Sequence, residues 1–338
     1  MIGVIGAGEI AGAAHLPAYA KLKLPVAAIF DVNRARAESL AARWQTRCAS
    51  DLESLLSDPQ VEIVDIAVPP AAQVTIIETV LRAGKHVLAQ KPLAQALSEA
   101  KRLVDLADAA KRCLVVNQQM RWCPVVNVIR KGIENQSLGD LKSLIFYLDL
   151  PLPPGRQAGW LGREPRLIVL LNTIHFLDTS RFLFGEPCTA VASIRQRDQH
   201  LDVAGETGLT AVVTFPGGAE VLIVDQRNAY GDHLAFFRAG GSNGALRGRF
   251  GLWTNYPTGA DDEIEYASVG APDGWKPVRT EGRWIPDAFV GPISELVAAI
   301  HGGPEPSTSG HDHLRTLALV EAIYTSAASG RKVNFTDN

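Results

Sequence analysis

The chain has 338 residues, 33 Lys and Arg against 36 Asp and Glu, a formal net charge of -3, and a composition that is 46% hydrophobic and 20% charged. That length exceeds the usual ~100–200 residues of one domain, so two domains are expected, and the average composition excludes a large disordered tract. A slightly acidic chain with no basic stripe excludes a nucleic-acid partner, and the lack of any run of about 18 apolar residues excludes a membrane span. Cys48, Cys113, Cys123 and Cys188 are scattered, with no Cys-x-x-Cys pair, and read as reduced thiols. A strand already begins at Ile2, leaving no room for a leader, so a cytoplasmic location is expected.

In chain order, Ile2 to Ile5 predicts a strand that breaks into Gly6-Ala7-Gly8-Glu9-Ile10-Ala11. Gly6 permits a sharp turn, Gly8 lets a pyrophosphate approach the backbone, and Ala11 lets the following helix pack on the strand. The pyrophosphate would rest on the unpaired N–H groups of that helix, expected over Glu9–Leu22. His15 reads as a polar-face or capping residue, with a place near the phosphates as the alternative. A second strand, Leu24 to Phe30, ends at Asp31, 23 residues after Gly8, where a dinucleotide fold needs a carboxylate for ribose hydroxyls. Strand, glycines, helix, strand and acid fall in order, which points to a bound dinucleotide.

A helix over Asn33–Arg43, a short strand over Thr46–Ala49, a helical turn over Asp51–Leu56 and an apolar strand over Glu62–Val68 follow. This alternation predicts a doubly wound parallel sheet. Pro69-Pro70 stops the strand, and Val68 and Pro69 should border the cofactor, although a plain structural turn fits as well. A helix over Thr75–Ala83, closed by Gly84, leads to the strand His86–Ala89, which delivers Gln90-Lys91-Pro92 at its carboxyl end. Lysines are ordinarily solvated, but one fixed at a strand end would point into the cleft and stabilise a developing alkoxide. Ser98 is the expected cap of a helix running to Lys111, and Leu114–Val116 the sixth strand.

Beyond Arg121 the pattern changes to a helix over Val125–Glu134 and strands over Leu141–Leu150, Ala190–Arg197, Thr207–Phe215, Ala219–Gln226, Leu234–Gly240 and Ala245–Phe250. Successive strands without helices predict a mainly antiparallel sheet. A glycine-rich loop, Gly155–Gly162, precedes a helical segment, Arg166–Phe184. Helices over Asp287–Ile300 and His311–Ser329 should cover one sheet face and leave the other open for self-association. His311-Asp312-His313 reads as a capping turn, and no metal site is expected. The fold class is thus α/β: a Rossmann domain over 1–120, then an α+β substrate-binding and oligomerisation domain with a large open sheet over 121–338.

His175 lies in Leu171-Asn172-Thr173-Ile174-His175-Phe176-Leu177-Asp178, where helical spacing groups it with Asn172 and Asp178. A neutral imidazole opposite Lys91 would take a hydroxyl proton as hydride leaves for nicotinamide. Lys91 and His175 are the expected catalytic residues. Asn172, Arg121, Trp160, Arg163 and Arg166 are candidates for substrate contact, although arginines are more often plain surface charges. The expected cofactor set is Gly6, Gly8, Glu9, Ile10, Ala11, Asp31, Arg36, Val68, Pro69, Gln90 and Lys91.

These residues resemble the glucose-fructose oxidoreductase, inositol dehydrogenase and rhizopine catabolism group, Gfo/Idh/MocA, over nearly the whole chain. The resemblance rests on Gly6-x-Gly8-x-x-Ala11, Asp31, Ala83-Gly84-Lys85-His86-Val87-Leu88-Ala89-Gln90-Lys91-Pro92, His175-x-x-Asp178 with Leu183-Phe184-Gly185, and Asp287-Ala288-Phe289. It implies NAD- or NADP-linked oxidation of a CH–OH group of a sugar, polyol or cyclitol, and a homodimer or homotetramer built through the second domain's sheet. Two positions depart from the family pattern: Gln90 replaces a glutamate, and Leu171 stands where an aspartate usually accompanies the histidine. Asp31 would repel an NADP 2'-phosphate by about 1 to 4 kcal/mol at ~4 Å, so NAD is favoured, with NADP admitted through Arg34 or Arg36. Two other activities fit the sequence: a redox-neutral elimination through transient oxidation, and a dinucleotide-binding regulator without catalysis.

Overall fold

In the first part of the chain, short apolar runs buried on both faces can only be strands of a covered parallel sheet. The computed structural model, which describes residues 1–195, 198–231, 233–271 and 274–335, bears this out. Strands β1 (Ile2–Ile5), β2 (Val26–Phe30), β3 (Arg47–Cys48), β4 (Ile63–Ile66), β5 (His86–Ala89) and β6 (Leu114–Val116) pair in the order β3-β2-β1-β4-β5-β6, all parallel. The order reverses between β1 and β4, so the crevice beyond their carboxyl ends is where such a sheet takes its ligand.

The connecting helices are α1 (Leu16–Lys21), α2 (Arg34–Arg43), α3 (Leu52–Leu56), α4 (Pro70–Arg82) and α5 (Leu97–Ala110). Three expectations need correction. The helix expected over Glu9–Leu22 is composite, a wide π turn over Ala11–His15 followed by α1. Helix α4 starts at Pro70 rather than Thr75, because proline at the first helical position gives up only an N–H that has no partner there anyway. Helix α5 turns in at extended Ala96 with no side-chain cap, which leaves Ser98 inside its first turn.

Two compact units divide the chain: residues 1–119 with 285–315, and residues 120–284 with 316–338. The chain therefore crosses between units three times, where a split into 1–120 and 121–338 has it cross once. In the first unit, Ile2, Val4, Ile29, Ile63, Leu88 and Val115 bury against Leu16, Tyr19, Ile293 and Leu296. The helix Val290–Ile300 packs on α1, β5 and β6, so it serves this core and not the second sheet as expected.

The second unit holds α6 (Pro124–Glu134), α7 (Pro154–Gln157), α8 (Ile174–Phe184) and a nine-stranded sheet. Its strands are β7 (Leu141–Pro151), β8 (Thr189–Arg195), β9 (Gly208–Thr214), β10 (Glu220–Asn228), β11 (Leu234–Gly241), β12 (Gly244–Arg249), β13 (Glu263–Ser268), β14 (Lys276–Pro277) and β15 (Val333–Asn334). They lie in the order β14-β13-β12-β11-β7-β10-β9-β8-β15, antiparallel except for the central β7/β10 pair. Strands β13 to β15 were not expected, since β14 and β15 are two-residue edge segments and β13 is charged. The expected strand Ala190–Arg197 is β8, except that Gln196 and Arg197 lie outside the described residues. The loop expected over Gly155–Gly162 is broken by α7 and a 3-10 turn at Leu161–Arg163.

Alternation along the strands buries Leu144, Phe146, Leu148, Val221, Ile223 and Phe237 on one face, where Phe146 meets Phe176 of α8 at 4.8 Å between ring centroids. On the other face Ile145, Tyr147, Val212, Leu222 and Val224 are half-buried, with Val191 and Phe236 exposed. A π turn, Val169–Thr173, runs into α8, and the carboxylate of Glu206 holds the entrance to it. Glu206 is 2% exposed and accepts the N–H groups of Leu167, Ile168 and Val169 at 3.1, 3.1 and 3.0 Å, and the Tyr324 hydroxyl at 2.7 Å. Burial, and then the Glu206 charge, push the Tyr324 phenol well above its ordinary range. Removing that carboxylate with Glu206→Ala should strand several buried donors and lower the unfolding free energy by about 3 kcal/mol in a denaturant titration.

Candidate functional site

The first unit assembles its half around the glycine turn. Gly6 has φ +101°, and a Cβ there would lie on the Ala67 carbonyl, 2.8 Å from its carbon and 3.1 Å from Val68 Cγ1. A Cβ at Gly8, by contrast, would meet nothing within 4 Å, so the turn is open where a phosphate would approach. Ala11 is fully buried against the sheet, Ile10 is half-buried and Glu9 exposed. The Asp31 carboxylate accepts the Ala7 N–H at 2.7 Å and the Asn33 N–H at 2.7 Å. It is thus fixed beside the turn, where a ribose carrying two hydroxyls would meet it. Arg36 and Pro69 are exposed, on α2 and at the entrance to α4. An open glycine cradle with an anchored carboxylate fits the adenosine half of a dinucleotide.

Gln90 and Lys91 leave the carboxyl end of β5 in a loop clamped by one side chain. Gln73 of α4, 1% exposed, donates through Nε2 to the carbonyls of Gln90 at 2.7 Å, Pro92 at 2.8 Å and Leu93 at 3.2 Å. Burial pushes the Lys91 amine down to about 8. His15 is not on a polar face, as expected, but 1% exposed. Its Nδ1 lies 2.8 Å from Asp65 Oδ2, and its Nε2 lies 2.6 Å from Gln90 Nε2 and 3.3 Å from Asn117 Nδ2. His313 is buried too and takes the Leu93 N–H at 3.3 Å, while exposed His311 pairs with Asp108 at 3.1 Å. Neither histidine belongs to a metal-ligand cluster among the described residues.

The second unit carries the remaining expected residues, held unevenly. His175, 8% exposed on α8, meets Trp284 edge-on at 5.9 Å. Leu171 is buried in the preceding π turn. Asn172 donates to Asp225 Oδ2 at 2.7 Å, and Thr173 does the same at 2.7 Å. Arg121, expected at a substrate, is 4% exposed and forks onto Asp178 with two bonds of 2.7 Å, so its charge is spent inside the protein. Thr316 also donates to Asp178, at 2.9 Å, which makes Asp178 an internal anchor. Arg166 pairs with Glu321 at 2.8 Å and lies over the Tyr324 ring, while Arg163 is exposed and reaches the Ala158 carbonyl at 3.3 Å. Trp160 is 42% exposed.

Asp225 went unforeseen. It is fully buried, with Arg227 donating to its other oxygen at 2.7 Å. The available signal was its phase: Val221, Ile223, Asp225 and Arg227 share the inward face of β10, where an ionisable pair is out of place. Asp65, inside the wholly buried β4, carried the same signal.

Residues 1–118 match the family model described as an oxidoreductase family with an NAD-binding Rossmann fold, and residues 130–335 match that family's C-terminal alpha/beta domain. The chain is 30% identical to D-apiose dehydrogenase of Paraburkholderia graminis over 90% of its own length and 80% of the relative's. It is 25% identical to inositol 2-dehydrogenase of Rhizobium meliloti over 98% of both chains. Among solved structures, an oxidoreductase from Agrobacterium radiobacter in complex with NAD+, L-tartaric acid and magnesium superposes with a TM-score of 0.83 at 24% identity, covering 98% of this chain and 97% of that one. Two successive family matches, one on either side of the change of pattern near Arg121, on a parallel sheet followed by an open one, settle the kinship: the chain belongs to the Gfo/Idh/MocA oxidoreductase family.

Proposed function

We propose that the protein is an NAD-dependent dehydrogenase of a CH–OH group in a sugar, polyol or cyclitol, with Lys91 and His175 as its catalytic residues. The observation that carries this reading is Lys91 itself, an amine lowered by burial, held at the carboxyl end of β5 in the unit that bears the glycine turn. The dehydrogenase relatives add support, since their names cover a branched pentose and an inositol. Bound NAD supplies the hydride acceptor. As an ammonium, Lys91 orients the substrate hydroxyl and stabilises the alkoxide as it forms, and His175 accepts the hydroxyl proton. Asn172, Trp160, Arg163 and Arg166 are candidates for substrate contact, whereas Arg121 is held on Asp178. With Leu171 in place of a carboxylate, the imidazolium formed at His175 has no charged helper at that position.

Four free cysteines suit a reducing, cytoplasmic setting, and no described helix is long and apolar enough to cross a membrane. The open apolar face around Ile145, Tyr147, Leu222 and Phe236 suits a second copy of the chain, giving a homodimer or homotetramer. Light scattering should then find an oligomer, and the double substitution Ile145→Glu with Leu222→Glu should yield monomer; a monomeric wild type ends that assignment.

The activity is tested by NADH absorbance with a panel of aldoses, inositols and sugar acids, and product cleavage without net NADH would instead reveal a redox-neutral reaction. Asp31→Ser should improve the use of NADP relative to NAD by about tenfold, which corresponds to roughly 1.4 kcal/mol of removed repulsion. Lys91→Met should lower kcat/KM by about 10²–10³-fold. Because the ammonium is the working form and burial sets its pKa to about 8, wild-type kcat/KM should fall as the pH rises through that value. Activity that climbs through the same range would show Lys91 acting as a base.

A further inference from the structure

The buried polar chain behind Lys91 has one consistent direction of donation. The Asp65 carboxylate can only accept, so the ring proton of His15 sits on Nδ1, pointing along the 2.8 Å contact. At the far end, the Lys91 backbone N–H can only donate, and it lies 3.2 Å from Gln90 Oε1. That contact fixes which way the Gln90 amide faces: its NH2 group turns to His15 and donates into the Nε2 lone pair at 2.6 Å. Asn117 donates to the same lone pair at 3.3 Å. Donor and acceptor therefore match at every link, Asp65 to His15 to Gln90 to the backbone of Lys91, with Asp65 and His15 both buried.

We propose that His15 and Asp65 are positioning residues for Lys91, acting through Gln90, so that the turn that follows the dinucleotide glycines holds the catalytic lysine in place. His15 closes the π turn Ala11–His15, which begins at the alanine packed under the glycine cradle. Phe289, its ring centroid 5.1 Å away, and Tyr19, edge-on at 6.3 Å, confine the imidazole in the position that serves both partners. The chain also gives Gln90 a reason. A glutamate there would still accept from Lys91, but it has no proton for His15 Nε2, so it would demand an imidazolium between two carboxylates and would place a negative charge next to the lysine. A glutamine passes the alignment on and leaves the neighbourhood of the amine uncharged.

The proposal rests on the reading of Lys91 as the substrate-orienting group, yet its test needs no substrate. Competitive acetylation with acetic anhydride, read at Lys91 by mass spectrometry from about pH 6 to about pH 11, reports when the amine loses its proton. The wild type should titrate near 8. Gln90→Met and Asp65→Leu, with folding checked by circular dichroism and cofactor binding by NADH fluorescence, should release the side chain toward water and raise the midpoint by at least about one unit. Asp65→Asn retains an oxygen that accepts from His15 Nδ1, so it should keep the wild-type midpoint. Wild-type midpoints in both Gln90→Met and Asp65→Leu would overturn the proposal, as would Asp65→Asn behaving like Asp65→Leu. If Asp65→Leu does not fold, Gln90→Met decides alone. The predicted shifts in a protein that oxidises none of the panel sugars would sink the dehydrogenase reading and leave the positioning role standing.

Discussion

Everything that handles the cofactor in the first unit depends on one close approach that only glycine tolerates. Residue 6 turns the chain out of β1 so close to Ala67 that a Cβ would lie on its carbonyl, at the point where β1 and β4 separate. Any side chain there must push β4 away from β1, and with it Val68 and the start of α4. The same turn brings the Ala7 N–H to the Asp31 carboxylate, so one backbone geometry sets both the open glycine turn and the position of that carboxylate.

In the second unit the ordering principle is a set of buried carboxylates, each given several donors. Glu206 receives three consecutive N–H groups, Asp225 the side chains of Asn172, Thr173 and Arg227, and Asp178 the Arg121 fork with the Thr316 hydroxyl. An ionised carboxylate out of water costs several kcal/mol unless it is paired in this way, so each one fixes the elements that supply its partners. Together they determine where the π turn bearing Leu171 and Asn172 lies and how α8 presents His175.

How much of this was legible in the sequence depended on whether the cause was local. The parallel sheet was readable because β1 and β4 are short apolar runs, broken only by Asp65 in β4, and the glycines and Asp31 keep their spacing. His15 was misjudged because a π turn adds a residue to the helical repeat and swings a position from the polar side into the core. Asp65 was passed over inside an apolar run, where a lone carboxylate marks a buried partner. The return of residues 285–315 to the first unit left no local trace, since Ile293 and Leu296 find their partners only in three dimensions. In the candidate site, Lys91 and His175 stood out by motif, but the arginines could not be sorted into ligand-facing and internal without knowing where Asp178 and Glu321 fall.

That returning segment gives the nascent chain a problem of order. The glycine turn leaves the ribosome well before residues 285–315, yet the apolar surfaces of Leu16 and Tyr19 behind it are not fully covered until Ile293 and Leu296 have been made. The whole nine-stranded sheet, except for its last edge strand, must emerge in between. The nucleotide-binding half therefore has to wait, its core partly uncovered, for most of synthesis, and a fragment cut at the apparent domain boundary would carry the glycine turn without part of the core behind it.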